Sequence, residues 1–212
     1  LWNVPFQGRL INSDAREITL TELSEDDILT LACFPNLTAI HAEGCTDYEN
    51  LAHLRQSLPN VNLTYTVTLE GTDYAQDADL VELTAVTEKD VMKLAYLPDV
   101  STVIVSGGGR SLSLPMLQSH CQNAGITFLV RLGNELVETS ATNLTVEDVT
   151  DEELSLLGCL PSLKQLHLVN PQAEAETVFA LDTTYPNVRT TWEIRIGDAS
   201  FQSTDTEIDL SQ

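Results

Sequence analysis

Apolar and polar positions fall in the same order three times along this chain. LSEDDILTLACFPNL begins at Leu23, VTEKDVMKLAYLPDV at Val86 and VTDEELSLLGCLPSL at Val149, in steps of 63 residues. A fixed internal period of this length is the signature of a repeated structural unit. Each unit opens on a short alternating run, at 18–20, 81–83 and 144–146, which predicts a strand with one buried face. A hydroxyl three residues ahead of a carboxylate follows: Ser24 with Asp27, Thr87 with Asp90, Thr150 with Glu153. That spacing predicts capped helix starts. Ile28, Leu31 and Ala32, then Val91, Leu94 and Ala95, then Leu154, Leu157 and Gly158 give each helix one apolar stripe. Pro35, Pro98 and Pro161 end them.

A second strand is predicted after each proline, at 37–42, 100–105 and 163–168. Second helices are expected over about 48–58, 112–122 and 173–183. The third and longest strands are expected at 63–69, 126–132 and 190–196. Turns at Glu70-Gly71, Gly133-Asn134 and Gly197-Asp198 would fold each long strand back as a hairpin. The ends fit the same frame, with Trp2 to Gly8 matching the stretch from Trp192 and residues 207–211 matching 17–21. The expected organisation is the end of a preceding repeat at 1–16, repeats at 17–78, 79–141 and 142–205, and the start of a further repeat at 206–212. The expected fold class is an α/β repeat solenoid: a mostly parallel sheet, helices on one face, one hairpin per repeat, in one continuous domain. The chain reads as a piece of a longer protein.

Leu163, Leu166, Leu168 and Asn170 resemble the strand pattern of leucine-rich repeats, and Leu37, Ile40, Ala42 and Cys45 resemble a degenerate copy of it. As an architecture, the chain is similar to the divergent leucine-rich-repeat-like arrays of bacterial surface proteins. The resemblance implies a non-enzymatic interaction or adhesion module at the cell surface or outside the cell, with its signal or anchor beyond this segment. Two other readings stay open. One is a substrate-targeting array attached to an enzyme domain elsewhere, the other a passive stalk.

Charge narrows the partners. Ten basic residues stand against 32 acidic ones, for a net charge of −22. Nucleic acid needs a positive footprint, which this chain lacks. No apolar run reaches the length of a membrane span, so direct membrane insertion is not expected. The expected partner is a protein or a glycan, and the expected state a monomer. Cys33 and Cys159 share one repeat position, which a disulfide cannot bridge if the units stack; all four cysteines are expected to be buried free thiols.

The search for concentrated chemistry yields little. His41 and His167 are equivalent positions with Ile104 between them; His53 and His120 have no metal-ligand partner at helical spacing. Asp73, Asp77 and Asp79 do not match a calcium loop. Gly107-Gly108-Gly109 lacks the Lys that follows in a phosphate-binding loop. No catalytic residue, metal site or cofactor is expected, and the chain is read as not an enzyme. Alternation instead points one set of side chains to an open sheet face: His41, Thr64, Thr66, Thr102, Ile104, Thr127, Arg131, Gln165, His167, Glu193 and Arg195. These are the candidate partner-binding residues.

Overall fold

Helix starts follow the hydroxyl–acid pairs. In the computed structural model, which describes residues 2–84, 87–107, 114–196 and 199–205, Ser24 caps α1 (Glu25–Leu31). Its hydroxyl accepts from the Asp27 N–H at 3.2 Å while the Asp27 carboxylate accepts from the Ser24 N–H at 2.9 Å. Thr150 and Glu153 form the same reciprocal box at α5 (Asp151–Leu154). Thr87 and Asp90 bond to each other at the start of α3 (Glu88–Lys93). A box of this kind satisfies two backbone donors that the helix itself leaves orphaned.

The chain divides into two compact units, 1–79 with 92–100 and 80–91 with 101–212. The first holds the hairpin β1 (Asn3–Phe6) and β2 (Arg9–Asn12), then a three-stranded parallel sheet in the order β3 (Glu17–Thr19), β4 (Ala39–His41), β5 (Asn62–Thr64). α1 and α2 (Tyr48–Ser57) connect these strands. A second hairpin, β6 (Thr66–Leu69) with β7 (Thr72–Ala75), follows as a sheet of its own. Residues 92–100 add a 3-10 turn at Leu94–Tyr96.

The second unit holds two four-stranded mixed sheets. One runs β8 (Leu80–Leu83), β9 (Thr102–Val105), β10 (Thr127–Leu132) in parallel and closes with antiparallel β11 (Glu135–Glu138). The other runs β12 (Asn143–Glu147), β13 (Gln165–Val169), β14 (Arg189–Ile196) and closes with β15 (Ala199–Gln202). α4 (Leu114–Asn123) and α6 (Ala175–Thr184) cross over within them, and α5 runs on into a 3-10 turn at Ser155–Cys159.

The expected solenoid is therefore corrected. The described strands form five separate sheets of two to four strands, mixed parallel and antiparallel, and no ladder runs from one repeat into the next. The reason lies at the sheet edges. The outer edges of β10 and β14 are taken by their own returning antiparallel strands, so a following repeat cannot pair with them directly. The long strand expected at 63–69 is also two strands, broken at Tyr65. There the Gln76 side-chain oxygen accepts from the Tyr65 N–H at 2.7 Å, and the Gln76 N–H donates to the Tyr65 carbonyl at 3.1 Å. Ser13 with Trp2 and Ser203 with Trp192 close the first and last hairpins by the same exchange.

Rows of apolar side chains register across each parallel sheet: Ile18, Ile40 and Leu63; Val81, Val103 and Phe128; Val146, Leu168 and Trp192. Turn geometry agrees with the turn residues. Gln7-Gly8 and Glu70-Gly71 both hold positive φ at each central residue, the backbone that two-residue hairpins favour. Gly133, at φ +58°, also sits where a Cβ would meet the Glu147 carbonyl oxygen at 2.4 Å. Gly107 approaches the Thr84 carbonyl just as closely, which accounts for one glycine of the Gly107–Gly109 run by packing. Gly108, Gly109, Val86, Gly197, Asp198 and the further repeat start at 206–212 lie outside the described residues.

Candidate functional site

Side-chain alternation places His41, Thr64, Gln165, His167, Glu193 and Arg195 on the polar faces of the parallel sheets, but the faces are not alike. In the first, parallel register sets Thr19, His41 and Thr64 side by side. The Thr64 hydroxyl gives its one proton to Glu43 Oε1 at 2.7 Å, so it accepts at its 3.1 Å contact with His41 Nδ1. That contact calls for a proton on His41 Nδ1. The bond from Thr64 holds the Glu43 carboxyl below its ordinary pKa, with the nearby His41 adding to the effect.

The sheet β12–β13–β14 repeats this pair. Thr145, His167 and Thr191 register side by side, and Thr191 Oγ1 lies 2.9 Å from His167 Nδ1. Glu193 Oε2 stands 4.0 Å from Nε2 on the other side of the ring. One step along the strands, Asn143, Gln165 and Arg189 form the next row. Around these two rows is a shallow depression of about 200 Å³. Arg195 closes the far end. Its Nε donates to Glu193 at 2.7 Å, its guanidinium lies 3.6 Å from Glu147, and its backbone N–H donates to the Asn170 side chain at 2.7 Å. The bond from Arg195 holds the Glu193 carboxyl below its ordinary value.

The middle sheet differs. Ile104 registers between Glu82 and Leu129 and is only 3% exposed, so it is not part of an open face. Arg131 on β10 reaches Glu82 on β8 through two contacts, at 3.1 and 3.3 Å, and must pass over the central strand to do so. This clamp covers Ile104 and lowers the Glu82 pKa, the Arg131 bond being the main cause. Thr102 and Thr127 register side by side one row away. Thr66 lies in the β6–β7 hairpin, a different sheet from Thr64. The candidate residues are thus spread over four sheets: two parallel sheets that each bear a His–Thr pair, the β6–β7 hairpin that holds Thr66, and the middle sheet with its ion pair.

Sequence reasoning placed the histidines on the polar faces but missed both arginine clamps. Their signal is an Arg on the long strand and a Glu on the first strand of the same repeat: Arg131 with Glu82, Arg195 with Glu147. The expectation of four buried thiols is corrected at Cys33, which is exposed; all four cysteines are free. Burial pushes the Cys121 and Cys159 thiols up to about 11. Asp73 accepts from the Thr68 hydroxyl at 2.6 Å. Among the described residues, no group of three or more His, Cys, Asp or Glu is placed to hold a metal, and no helix is long and apolar enough to cross a membrane.

No family model, curated protein or solved structure matches this chain. The resemblance to leucine-rich-repeat arrays rests on the sequence alone.

Proposed function

We propose that this chain is a non-enzymatic interaction module that binds a protein or glycan partner through its polar sheet faces. The observation that carries the proposal is the recurrence of one cross-strand arrangement, His41 with Thr64 and His167 with Thr191, on two sheets of different local sequence. Each ring is held by the threonine beside it, so its outer edge is fixed before any ligand arrives. Prepaid ordering of this kind favours binding. In the third sheet Asn143, Gln165 and Arg189 add donors and acceptors in one depression, the mix that polar ligands such as sugar hydroxyls or peptide groups require. A depression this shallow and open suits recognition better than chemistry, which needs water excluded around the reacting atoms. An extracellular or cell-surface setting and a monomeric state belong to the proposal as expectations of the sequence.

The test is an array of glycans, matrix proteins and cell-wall fragments probed with the purified chain. Binding lost in His167→Glu and in Gln165→Ala, with melting unchanged, supports the reading. A turnover activity abolished by a single substitution would replace it.

A further inference from the structure

Two residues before His41, Ile104 and His167, the register rows of the three parallel sheets differ in chemistry. In the first sheet the row is Glu17, Ala39 and Asn62, in the middle sheet Leu80, Thr102 and Thr127, and in the third Asn143, Gln165 and Arg189. Of the three rows, the third alone carries a cation. Among the described residues, the Arg189 guanidinium and the Gln165 amide make no hydrogen bond or ion pair. Lys164, next to Gln165 in the chain, also lacks an ion pair, and its carbonyl accepts from the Arg189 N–H at 2.8 Å. Two uncompensated cations therefore meet at one end of this sheet, in a chain where acids outnumber bases 32 to ten. At the other end of the same face the carboxylates are engaged: Arg195 holds Glu193 at 2.7 Å and Glu147 at 3.6 Å.

We propose that the depression on this face takes a carboxylate-bearing sugar, a uronic or sialic acid residue of a glycan, with the carboxylate on Arg189. The assignment rests on the reading of the third sheet as a binding face and names its ligand. A guanidinium presents its donors as a planar fork that matches a carboxylate, and such charge-assisted bonds are the stronger kind. The neighbouring groups suit hydroxyls. The Gln165 amide both donates and accepts, and so does the Thr145 hydroxyl beside His167. Parallel strands lie about 4.8 Å apart and same-face rows about 6.6 Å apart, so the Arg189 row and the His167 row bracket one sugar ring. The depression of about 200 Å³ has room for one such ring. An acidic peptide fits less well. Its many carboxylates meet a chain of charge −22, whereas a glycan brings one carboxylate among neutral hydroxyls. An extended peptide is also held chiefly by backbone pairing at a sheet edge, and this depression lies on a sheet face among side chains. The first sheet has the same His–Thr pair, but Glu17 in its adjoining row repels a carboxylate, so acid-sugar binding belongs to the third sheet.

The probes are oligosaccharides capped with glucuronate, galacturonate or sialate, each beside its carboxyl-reduced counterpart, in which a primary alcohol replaces the carboxylate. The purified chain is expected to bind at least one acidic probe about tenfold or more tighter than the reduced form, as a charged hydrogen-bonded contact confers. Added salt should narrow that preference. Arg189→Gln should remove it, and Arg189→Lys should keep part of it, since the charge stays and the fork is lost. Arg189 is exposed, so an unchanged melting temperature verifies that both variants fold. Equal binding of acidic and reduced forms, no binding of any acidic probe, or a preference that survives Arg189→Gln would overturn the proposal. So would selection of a peptide that binds only with its C-terminal carboxylate free. In each of those cases a neutral glycan or protein ligand lost in His167→Glu would leave the binding-face reading standing without the acid sugar. Ligands all indifferent to His167→Glu would remove that reading as well.

Discussion

The middle sheet and the third sheet share almost the same strands, yet one closes its polar face and the other opens it. Both run three parallel strands and return through an antiparallel fourth. Both carry an arginine at the same hairpin position, Arg131 and Arg195. Arg131 reaches across to Glu82 above Ile104, and the face becomes an ion pair over a buried aliphatic side chain. Arg195 reaches Glu147 and Glu193 at one end only, leaving His167, Thr191, Gln165 and Arg189 around an open depression. The difference is carried by position 104 against 167. An isoleucine needs cover; an imidazole paired with a threonine can stand half in water. One repeat position therefore serves packing in one unit and presentation in another.

That contrast can be strained first from beneath. Leu166 is buried in the row under the third face, and Leu166→Ala should cost about 2–5 kcal/mol in denaturant unfolding. A loss below about 1 kcal/mol would mean that the sheet is not the packed support described. A smaller effect is expected at the helix that precedes it. Thr150→Ala removes the hydroxyl half of a capping box and should cost about 1 kcal/mol, as should Ser24→Ala, with calorimetry as the readout.

In the row below the third face, Thr190 stands beside Leu166 where the other two sheets place Leu63 and Phe128. Among the described residues, its hydroxyl is buried without a hydrogen-bond partner. Thr190→Val should therefore stabilise the chain by about 1 kcal/mol, since the desolvation of an unpaired hydroxyl is removed at constant volume. Destabilisation would reveal a partner for that hydroxyl. The smallest effect is expected at the middle clamp. Its partners are both about one-third exposed, so Arg131→Met should cost under about 1 kcal/mol. Its pH dependence carries a sign. The folded-state pKa of Glu82 is depressed, so the pair contributes fully above the ordinary glutamate pKa and loses its contribution as pH falls through the lower folded value. Wild type and Arg131→Met should converge in stability over that acid window and differ at neutral pH.

Much of the local structure was legible because its causes are local. Hydroxyl–acid spacing marked the helix starts at Ser24 and Thr150, and alternation marked which side of β4 and β13 holds His41 and His167. That the sheets stay separate and form no solenoid was not legible, because ladder continuation depends on which backbone edge is free, and no side chain announces that β11 and β15 will pair along β10 and β14. The burial of Ile104 depends on Arg131 reaching over a strand from 27 residues away in sequence. Period and spacing describe neighbours along the chain, whereas the character of each face is set by residues that meet only after folding.

The most direct test of the binding account compares three proteins on one ligand panel: wild type, His41→Glu with His167→Glu, and Arg131→Met. The account predicts that the array selects a ligand for wild type, that the double histidine variant loses it by at least about tenfold with an unchanged melting temperature, and that Arg131→Met keeps it. A ligand bound equally well by the double variant, or lost only in Arg131→Met, would contradict the assignment of the His–Thr faces as the binding surface.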